Sequence, residues 1–129
     1  MIKLRNIKKS FGPLEVLHGV SLDVAKGEIV SIVGASGAGK STLLQIAGSL
    51  MLPDSGDVVV EGVSLSSLDD GALSMFRNRR IGFIFQDYHL LAEFSAQENV
   101  MMPMLIAGVG RREAGARADE LLEMVSMSH

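Results

Sequence analysis

The chain has 129 residues, of which 47% are apolar and 21% are charged, with a net charge of −3 and no cysteine. This length and apolar fraction allow one hydrophobic core of ordinary domain size. A net negative charge gives no broad cationic surface, so we expect no nucleic-acid partner. The lack of cysteine excludes disulfides and thiolate metal sites, and it favours a reducing compartment.

We expect neither a secretion signal nor a membrane-spanning segment. Met1 to Arg5 is basic, but no apolar segment of signal-peptide length follows it before Lys8 and Lys9. The most apolar stretch, residues 100–110, contains Pro103 and is shorter than the roughly 20 residues that a spanning helix needs. A cytoplasmic protein that meets a membrane only through a partner is therefore expected.

The first third of the chain reads as strands followed by a glycine loop and a helix. Apolar, β-branched residues predict strands at 2–7 and 16–24, before the turn at Lys26-Gly27. Residues 28–33 predict a short buried strand that runs into glycines. Apolar side chains at helical spacing then predict a helix over 41–50.

The remainder alternates between short strands and helices. A hairpin is predicted from turn residues at 53–56, strand residues at 57–60 and a second turn at Glu61-Gly62 that leads to another short strand. A helix over 69–79 and a buried strand over 81–85 follow.

Two further helices are predicted near the end. Ser95 and Glu98 form a capping box, which opens a helix that Pro103 should kink or interrupt. The last helix should extend nearly to His129, with one apolar face made by Ala114, Ala118, Leu121, Leu122 and Val125.

Residues 34–41, Gly-Ala-Ser-Gly-Ala-Gly-Lys-Ser, match the phosphate-loop pattern of Gly, four residues and Gly-Lys-Ser. Glycines let backbone N–H groups turn towards phosphate oxygens, and the helix beginning near Lys40 adds its positive end. Lys40 would contact the β and γ phosphates, Ser41 would bind Mg²⁺, and Thr42 would complete the cradle at the α phosphate. The predicted ligand is ATP with Mg²⁺, bound by Gly34, Ser36, Gly37, Ala38, Gly39, Lys40, Ser41 and Thr42.

The alternative is a glycine-rich turn that precedes a helix by chance. Average composition makes such a match in a chain of this length a matter of roughly a few in a thousand. A GTPase would also carry Asp-x-x-Gly and Asn-Lys-x-Asp, and neither pattern occurs in the sequence. ATP is therefore favoured over GTP.

Phe11 upstream and Phe85-Gln86 downstream flank the loop in the order found in the nucleotide-binding subunits of ABC transporters, which the chain resembles from Ile2 to about Val109. The resemblance implies an α/β phosphate-loop NTPase fold of the ABC ATPase type. This chain would hold its N-terminal part, namely the antiparallel β subdomain, the start of the parallel-sheet core and helices.

The resemblance also implies roles for individual residues. Phe11 would stack on adenine, with Val16 packing beside the base. Gln86 would reach Mg²⁺ and the attacking water, so that Lys40 and Gln86 are the candidate catalytic residues. The alternatives are that Phe11 is ordinary packing and that Gln86 is a plain surface amide.

The finer resemblance is to the lipoprotein-releasing and macrolide-export type of this family, through residues 76–86, Leu90-Leu91, Glu98-Asn99-Val100 and Pro103. It implies membrane-spanning partner subunits, a second ATPase copy in a head-to-tail dimer, and a position on the cytoplasmic face of the inner membrane. The ATPase would drive the release or export of lipoproteins or a related substrate.

The family's Leu-Ser-Gly-Gly-Gln signature, its Walker B strand and its switch histidine do not occur in the 129 residues. We interpret the chain as one partial ATP-binding domain spanning 1–129, an N-terminal fragment of an ATPase that is inactive by itself. The alternative is a nucleotide-binding or regulatory module that performs no hydrolysis. The gene sequence beyond His129 would separate the two interpretations.

Two clusters of side chains allow more than one interpretation. Arg77, Arg79 and Arg80 are typical of a solvated helix end rather than of a phosphate-binding patch. The methionines at 101, 102 and 104 fit either a docking surface for a membrane partner or ordinary core packing.

Overall fold

The computed structural model describes residues 1–35, 37 and 39–126. Its internal contacts fall into two units, Met1–Arg77 and Asn78–His129. The first unit carries an apolar core between a sheet and a helix, and the second carries a smaller core between two helices. Ser36, Ala38 and residues 127–129 lie outside the described residues.

The first unit is built on four antiparallel strands, β1 (Ile2–Phe11), β2 (Leu14–Val24), β3 (Ser55–Val60) and β4 (Val63–Ser64). They lie in the order β2-β1-β3-β4, so that β1 is paired on both edges. The register places Ile2 opposite Val24 on β2 and opposite Val60 on β3. The two predicted N-terminal strands and the predicted hairpin are confirmed.

The core of the first unit joins this sheet to helix α1 (Lys40–Ala47). Leu4 and Ile7 of β1 are almost fully buried, as is Ile46 of α1. Burial of each such side chain contributes about 1.5–3 kcal/mol. The packed core therefore fixes α1, and with it the position at which the helix begins. The other buried members are Leu17, Leu43, Val58, Val60, Leu65 and Leu73.

Helix α2 (Asp70–Arg80) confirms the helix predicted at 69–79. Arg77 is half-buried, and its guanidinium donates to the Ser49 carbonyl at 3.2 Å. The prediction of a solvated cationic end is thus wrong for Arg77, which bonds the backbone beyond the end of α1. Arg79 and Arg80 are exposed, as predicted.

Two predicted buried strands, at 28–33 and 81–85, are not strands in this structure. Ile29 and Val33 are 95% and 87% exposed, and Ile84 is fully exposed. A strand of the parallel core needs at least one neighbouring strand to accept and donate its backbone hydrogen bonds. Among the described residues, no strand pairs with either segment. Sequence pattern alone could not supply those partners.

The second unit contains helices α3 (Ala96–Ile106) and α4 (Arg111–Met124). Met101, Ala114 and Ala118 form the buried contact between them. Core packing is therefore the confirmed role of Met101. Met104 packs against the same core, and a docking role for Met102 stays a prediction. Helix α4 ends at Met124, earlier than predicted, and Val125 is 64% exposed instead of lying on an apolar face.

The predicted capping box at the start of α3 is confirmed. The Glu98 N–H donates to the Ser95 hydroxyl, and the Ser95 N–H donates to the Glu98 carboxylate, each at 3.1 Å. The helix then continues through Pro103 to Ile106, so the predicted interruption is wrong. Within the described parts of the chain, no helix is long and apolar enough to cross a bilayer.

The capping box should stabilise the second unit in a pH-dependent way. The Ser95 backbone N–H, and then the Ser95 side chain, lower the pKa of Glu98 below its usual 4.5. Because the folded pKa is lowered, the contribution is present above about pH 4.5 and is lost as pH falls through the lower folded value. Ser95→Ala should lower the free energy of unfolding by about 1 kcal/mol at neutral pH. Denaturant titration followed by circular dichroism measures it.

Ser95→Thr is the matched control, because it keeps a hydroxyl that can accept from the Glu98 N–H. It should stay within a few tenths of a kcal/mol of the parent chain. Equal destabilisation by both variants would contradict the assigned cap.

Candidate functional site

The glycine loop lies between residues 28–33 and the first turn of α1, on the exposed surface of the first unit. Gly34, Ala35 and Gly37 are exposed, whereas Gly39 is half-buried where the loop meets the helix. The predicted contacts of Ser36 and Ala38 with phosphate lie outside the described residues.

Gly39 makes the closest approach between the loop and the sheet. Its φ of +90° is in the left-handed region, and an added Cβ would lie 2.8 Å from Val16 Cγ1 and 3.0 Å from Leu17 Cδ2. Both the backbone conformation and the lack of space therefore require glycine here. This contact places Val16 of β2 beside the loop, which agrees with its predicted position near the nucleotide.

Helix α1 begins directly after Gly39, its N-cap residue. No side chain among the described residues caps this end, and the first helical bond is from the Leu43 N–H to the Gly39 carbonyl at 2.9 Å. The backbone N–H groups of the first turn have no partner within the helix, and the helix dipole makes this end positive. Such an end attracts anions.

The first turn of α1 opens onto a depression of about 310 Å³. This volume is at the lower end of the range for small-molecule sites. Lys40, Ser41 and Thr42 contribute to its lining, together with Val16, Gly37 and Gly39. The structure thus brings together, around one cavity, six of the residues that the sequence assigned to the nucleotide.

The Lys40 ammonium is held over the loop itself. Its Nζ donates to the Gly34 carbonyl and, at 2.9 Å, to the Ala35 carbonyl. A phosphate oxygen carries charge and is a stronger acceptor than either carbonyl. The flexible lysine side chain allows the ammonium to exchange these two carbonyls for a polyphosphate in the same depression.

Ser41 supplies the oxygen that a magnesium ion would need at this site. Mg²⁺ in nucleotide sites takes one or two protein oxygens, with the remaining positions filled by phosphates and water. One exposed hydroxyl beside an anion-binding turn fits that pattern. Across residues 1–35, 37 and 39–126, no group of three or more His, Cys, Asp or Glu side chains could hold a metal by itself.

Phe11 is the last residue of β1, at the hairpin turn of Gly12 and Pro13. Its side chain belongs to the same unit as the loop and is 46% exposed. The Lys9 ammonium lies over the ring, 5.6 Å from its centroid. A ring half open to solvent is available for stacking, so its predicted role in binding adenine remains consistent with its placement.

Gln86 lies in the second unit, in an exposed segment without regular structure. Just before it, the rings of Phe83 and Phe85 stack with centroids 5.3 Å apart, and Phe85 makes an edge contact with His89 at 4.2 Å. Its predicted roles at Mg²⁺ and at the attacking water stay predictions.

Sequence reasoning missed two polar side chains that organise these segments. The Asn99 carboxamide donates to the carbonyls of Leu91, Phe94 and Ser95 and accepts from the Leu91 N–H, which fixes the loop before α3. Asp54, which the sequence assigned only to a turn, accepts a hydrogen bond from the Ser10 N–H near the end of β1. The signal available in the sequence was the preference of Asn and Asp for bonding nearby backbone.

Comparisons with known proteins agree with this geometry. The sequence profile of the family described as ABC transporter matches residues 17–129. The lipoprotein-releasing system ATP-binding protein LolD of Bacteroides thetaiotaomicron is 56% identical over 99% of the chain and 59% of its own length. The Porphyromonas gingivalis protein of that name is 54% identical over 99% and 58%. That of Geobacter metallireducens is 50% identical over 100% and 59%.

Two solved structures are similar at 38% identity, over 96% of this chain and 56% of theirs. One is an ATP-binding cassette dimer in a post-hydrolysis state bound to ADP and Pi, with a TM-score of 0.87. The other is a second dimeric structure of the same cassette, described as a bacterial ABC transporter cassette, with a TM-score of 0.88.

A glycine loop that opens onto a helix N-terminus, with a lysine and a serine in the first turn, defines a phosphate-loop nucleotide-binding protein. Within that class, the chain belongs to the ABC transporter family, whose cassettes bind ATP. The predicted α/β ABC ATPase fold is confirmed. The chain spans about 59% of the length of the curated relatives it matches.

The close approach of Gly39 to β2 can be tested against Gly37, which has a similar φ of +83° but no atom within 4 Å of an added Cβ. Gly39→Ala should lower the free energy of unfolding by about 3 kcal/mol or more, since it combines left-handed strain with overlap. Gly37→Ala should cost about 1–2 kcal/mol, from strain alone. Denaturant titration measures both.

Equal losses in the two alanine variants would show that contact with Val16 and Leu17 does not constrain the loop.

Proposed function

We propose that the chain is the nucleotide-binding part of the ATPase subunit of an ABC transporter, which couples ATP binding and hydrolysis to the release or export of lipoproteins or a related substrate. The lipoprotein-releasing relatives, at 50–56% identity over almost the whole chain, support this assignment. The observation that carries the nucleotide-binding role is the α1 N-terminus with Lys40, Ser41 and Thr42 around one cavity.

The triphosphate would lie across the first turn of α1. Backbone N–H groups of residues 37–42 would face its oxygens, and Lys40 would move from the Gly34 and Ala35 carbonyls to the β and γ phosphates. The fixed backbone dipoles would stabilise negative charge without reorganisation, whereas the Lys40 ammonium would change its partners. Local geometry, and not the net charge of −3, therefore attracts the polyanion.

Ser41 and Gln86 would be the protein ligands of Mg²⁺, the ion that neutralises charge on the β and γ phosphates in such sites. Adenine would stack on Phe11, with Val16 at its edge. Support for this orientation comes from Val16, which lines the cavity and belongs to the strand that follows Phe11 across the hairpin.

In catalysis, Lys40 would stabilise the charge on the transferring phosphoryl group, and Gln86 would orient the attacking water. The amide oxygen of Gln86 can accept a hydrogen bond from this water without adding charge to the site. The subunit would act as a head-to-tail dimer and would lie on the cytoplasmic face of the inner membrane through membrane-spanning partner subunits. The two similar structures are dimers of one and the same cassette, and that dimeric state supports the dimer.

Lys40→Ala tests the phosphate cradle directly. Loss of one charge-assisted contact should weaken Mg·ATP binding by about 10- to 100-fold, measured by isothermal titration calorimetry on the full-length gene product. Lys26→Ala is the matched control, because Lys26 is an exposed lysine in the turn after β2. Unchanged affinity in Lys40→Ala, with Lys26→Ala also unchanged, would refute the cradle.

The 129 residues alone should hydrolyse ATP at the background rate. Their sequence holds no apolar strand that ends in an acidic pair, and Asp119-Glu120 lies within α4. Without a carboxylate to orient water, the positioning on which phosphoryl transfer depends is incomplete. Phosphate release from the purified chain measures it, and a turnover that disappears in Lys40→Ala would contradict the prediction.

A further inference from the structure

Asp54 connects the turn before β3 to the far end of β1. Its Oδ2 accepts from the Ser10 N–H at 2.7 Å, its Oδ1 accepts from Lys9 Nζ at 3.3 Å, and its own N–H donates to the Lys8 carbonyl at 2.8 Å. One residue thus bonds three consecutive residues of the strand that ends in Phe11.

The hydrogen bonds of Asp54 lie just beyond the point at which β1 stops pairing with β3. Strand β3 pairs with β1 only as far as Lys8, which lies opposite Ser55. Beyond that point, within the part of the chain that the structure describes, β1 pairs with β2 alone, and its register with β2 is irregular between Lys9 and Ser10. The Asp54 carboxylate occupies the place of a third strand for the Ser10 N–H, which limits fraying of the segment that holds Phe11.

The same carboxylate orders Lys9. The Lys9 side chain is only 18% exposed, an unusually low value for lysine, and its ammonium lies 5.6 Å from the centroid of the Phe11 ring. A cation held over an aromatic face is attracted by the ring quadrupole. Because one face of the ring then carries the ammonium, a planar ligand stacks on the other.

We propose that Asp54 is a positioning residue for nucleobase recognition: it fixes the end of β1 and holds Lys9 against one face of Phe11, which leaves the opposite face to stack on adenine. This inference rests on the proposed function, in which Phe11 binds the base. Asp54 itself touches neither the base nor the phosphates in this scheme; it acts through Lys9 and the Ser10 backbone.

The charge state of Asp54 supports that role. The Ser10 N–H, and then Lys9, lower the pKa of Asp54 below its usual value, so the carboxylate is ionised at neutral pH. The sheet also offers an internal comparison. Asp23 of β2 pairs with Arg5 of β1, a similar carboxylate and cation on the surface of the same sheet, towards its opposite end.

The experiment compares a ligand that has a base with one that lacks it. Binding of Mg·ATP and of magnesium tripolyphosphate is measured by calorimetry on the full-length gene product and its variants. Asp54→Ala should weaken Mg·ATP about three- to tenfold and leave tripolyphosphate unchanged; the loss is smaller than for a direct charge-assisted contact because Asp54 acts only through Lys9 and the Ser10 backbone. Asp54→Asn keeps an acceptor for the Ser10 N–H and should recover part of the loss.

Two controls separate positioning from general destabilisation. Asp23→Ala should alter neither affinity. In a Phe11→Ala background, Asp54→Ala should have no further effect on Mg·ATP, because the residue through which it acts has been removed.

The outcomes discriminate between the proposals. If Phe11→Ala weakens Mg·ATP selectively but Asp54→Ala weakens both ligands equally, or neither, the role of Asp54 is refuted while base stacking on Phe11 stands. If Phe11→Ala does not weaken Mg·ATP relative to tripolyphosphate, the adenine assignment of Phe11 fails, and the role of Asp54 fails with it.

Discussion

The contact between Gly39 and strand β2 is the constraint on which the candidate site depends. A side chain at this position would overlap Val16 and Leu17, so only glycine lets the loop lie against the sheet. That approach sets where α1 begins, and the buried core of Leu4, Ile7 and Ile46 then holds the helix in place. The positive end of α1 and the first-turn side chains are consequently presented at one cavity.

Binding energy in such a site comes from geometry that is set before the ligand arrives. The chain is acidic overall, yet one ammonium and a helix N-terminus make a local positive site that favours anions, because dipoles and charge act over short distances. The antiparallel sheet adds the second element, since it carries both Val16 at the loop and Phe11 at the hairpin. The two residues proposed to contact adenine therefore lie on the sheet against which the phosphate loop is placed.

Sequence pattern failed where structure depends on pairing. Residues 28–33 and 81–85 are apolar enough to predict buried strands, and both are irregular here, with Ile29 and Ile84 exposed. Hydrophobicity identifies a segment that favours burial, but the hydrogen bonds of a strand come from neighbours elsewhere in the chain. The matched relatives are longer than this chain, which covers 59% of the first of them. Of the kink or interruption predicted at Pro103, the interruption does not occur, and the kink stays a prediction.

The sequence by itself determined the phosphate loop, the strands and helices with local signals, and the capping box of α3, because each rests on residues adjacent along the chain. It also determined the family, because the order of the motifs along the chain is visible in the sequence without any knowledge of distances in space. Only the tertiary structure decided that Val16 lines the cavity, that Arg77 bonds Ser49, and that Asp54 reaches Ser10 across 44 positions. Such contacts form when packing brings distant segments within bonding distance, and no local pattern encodes that distance.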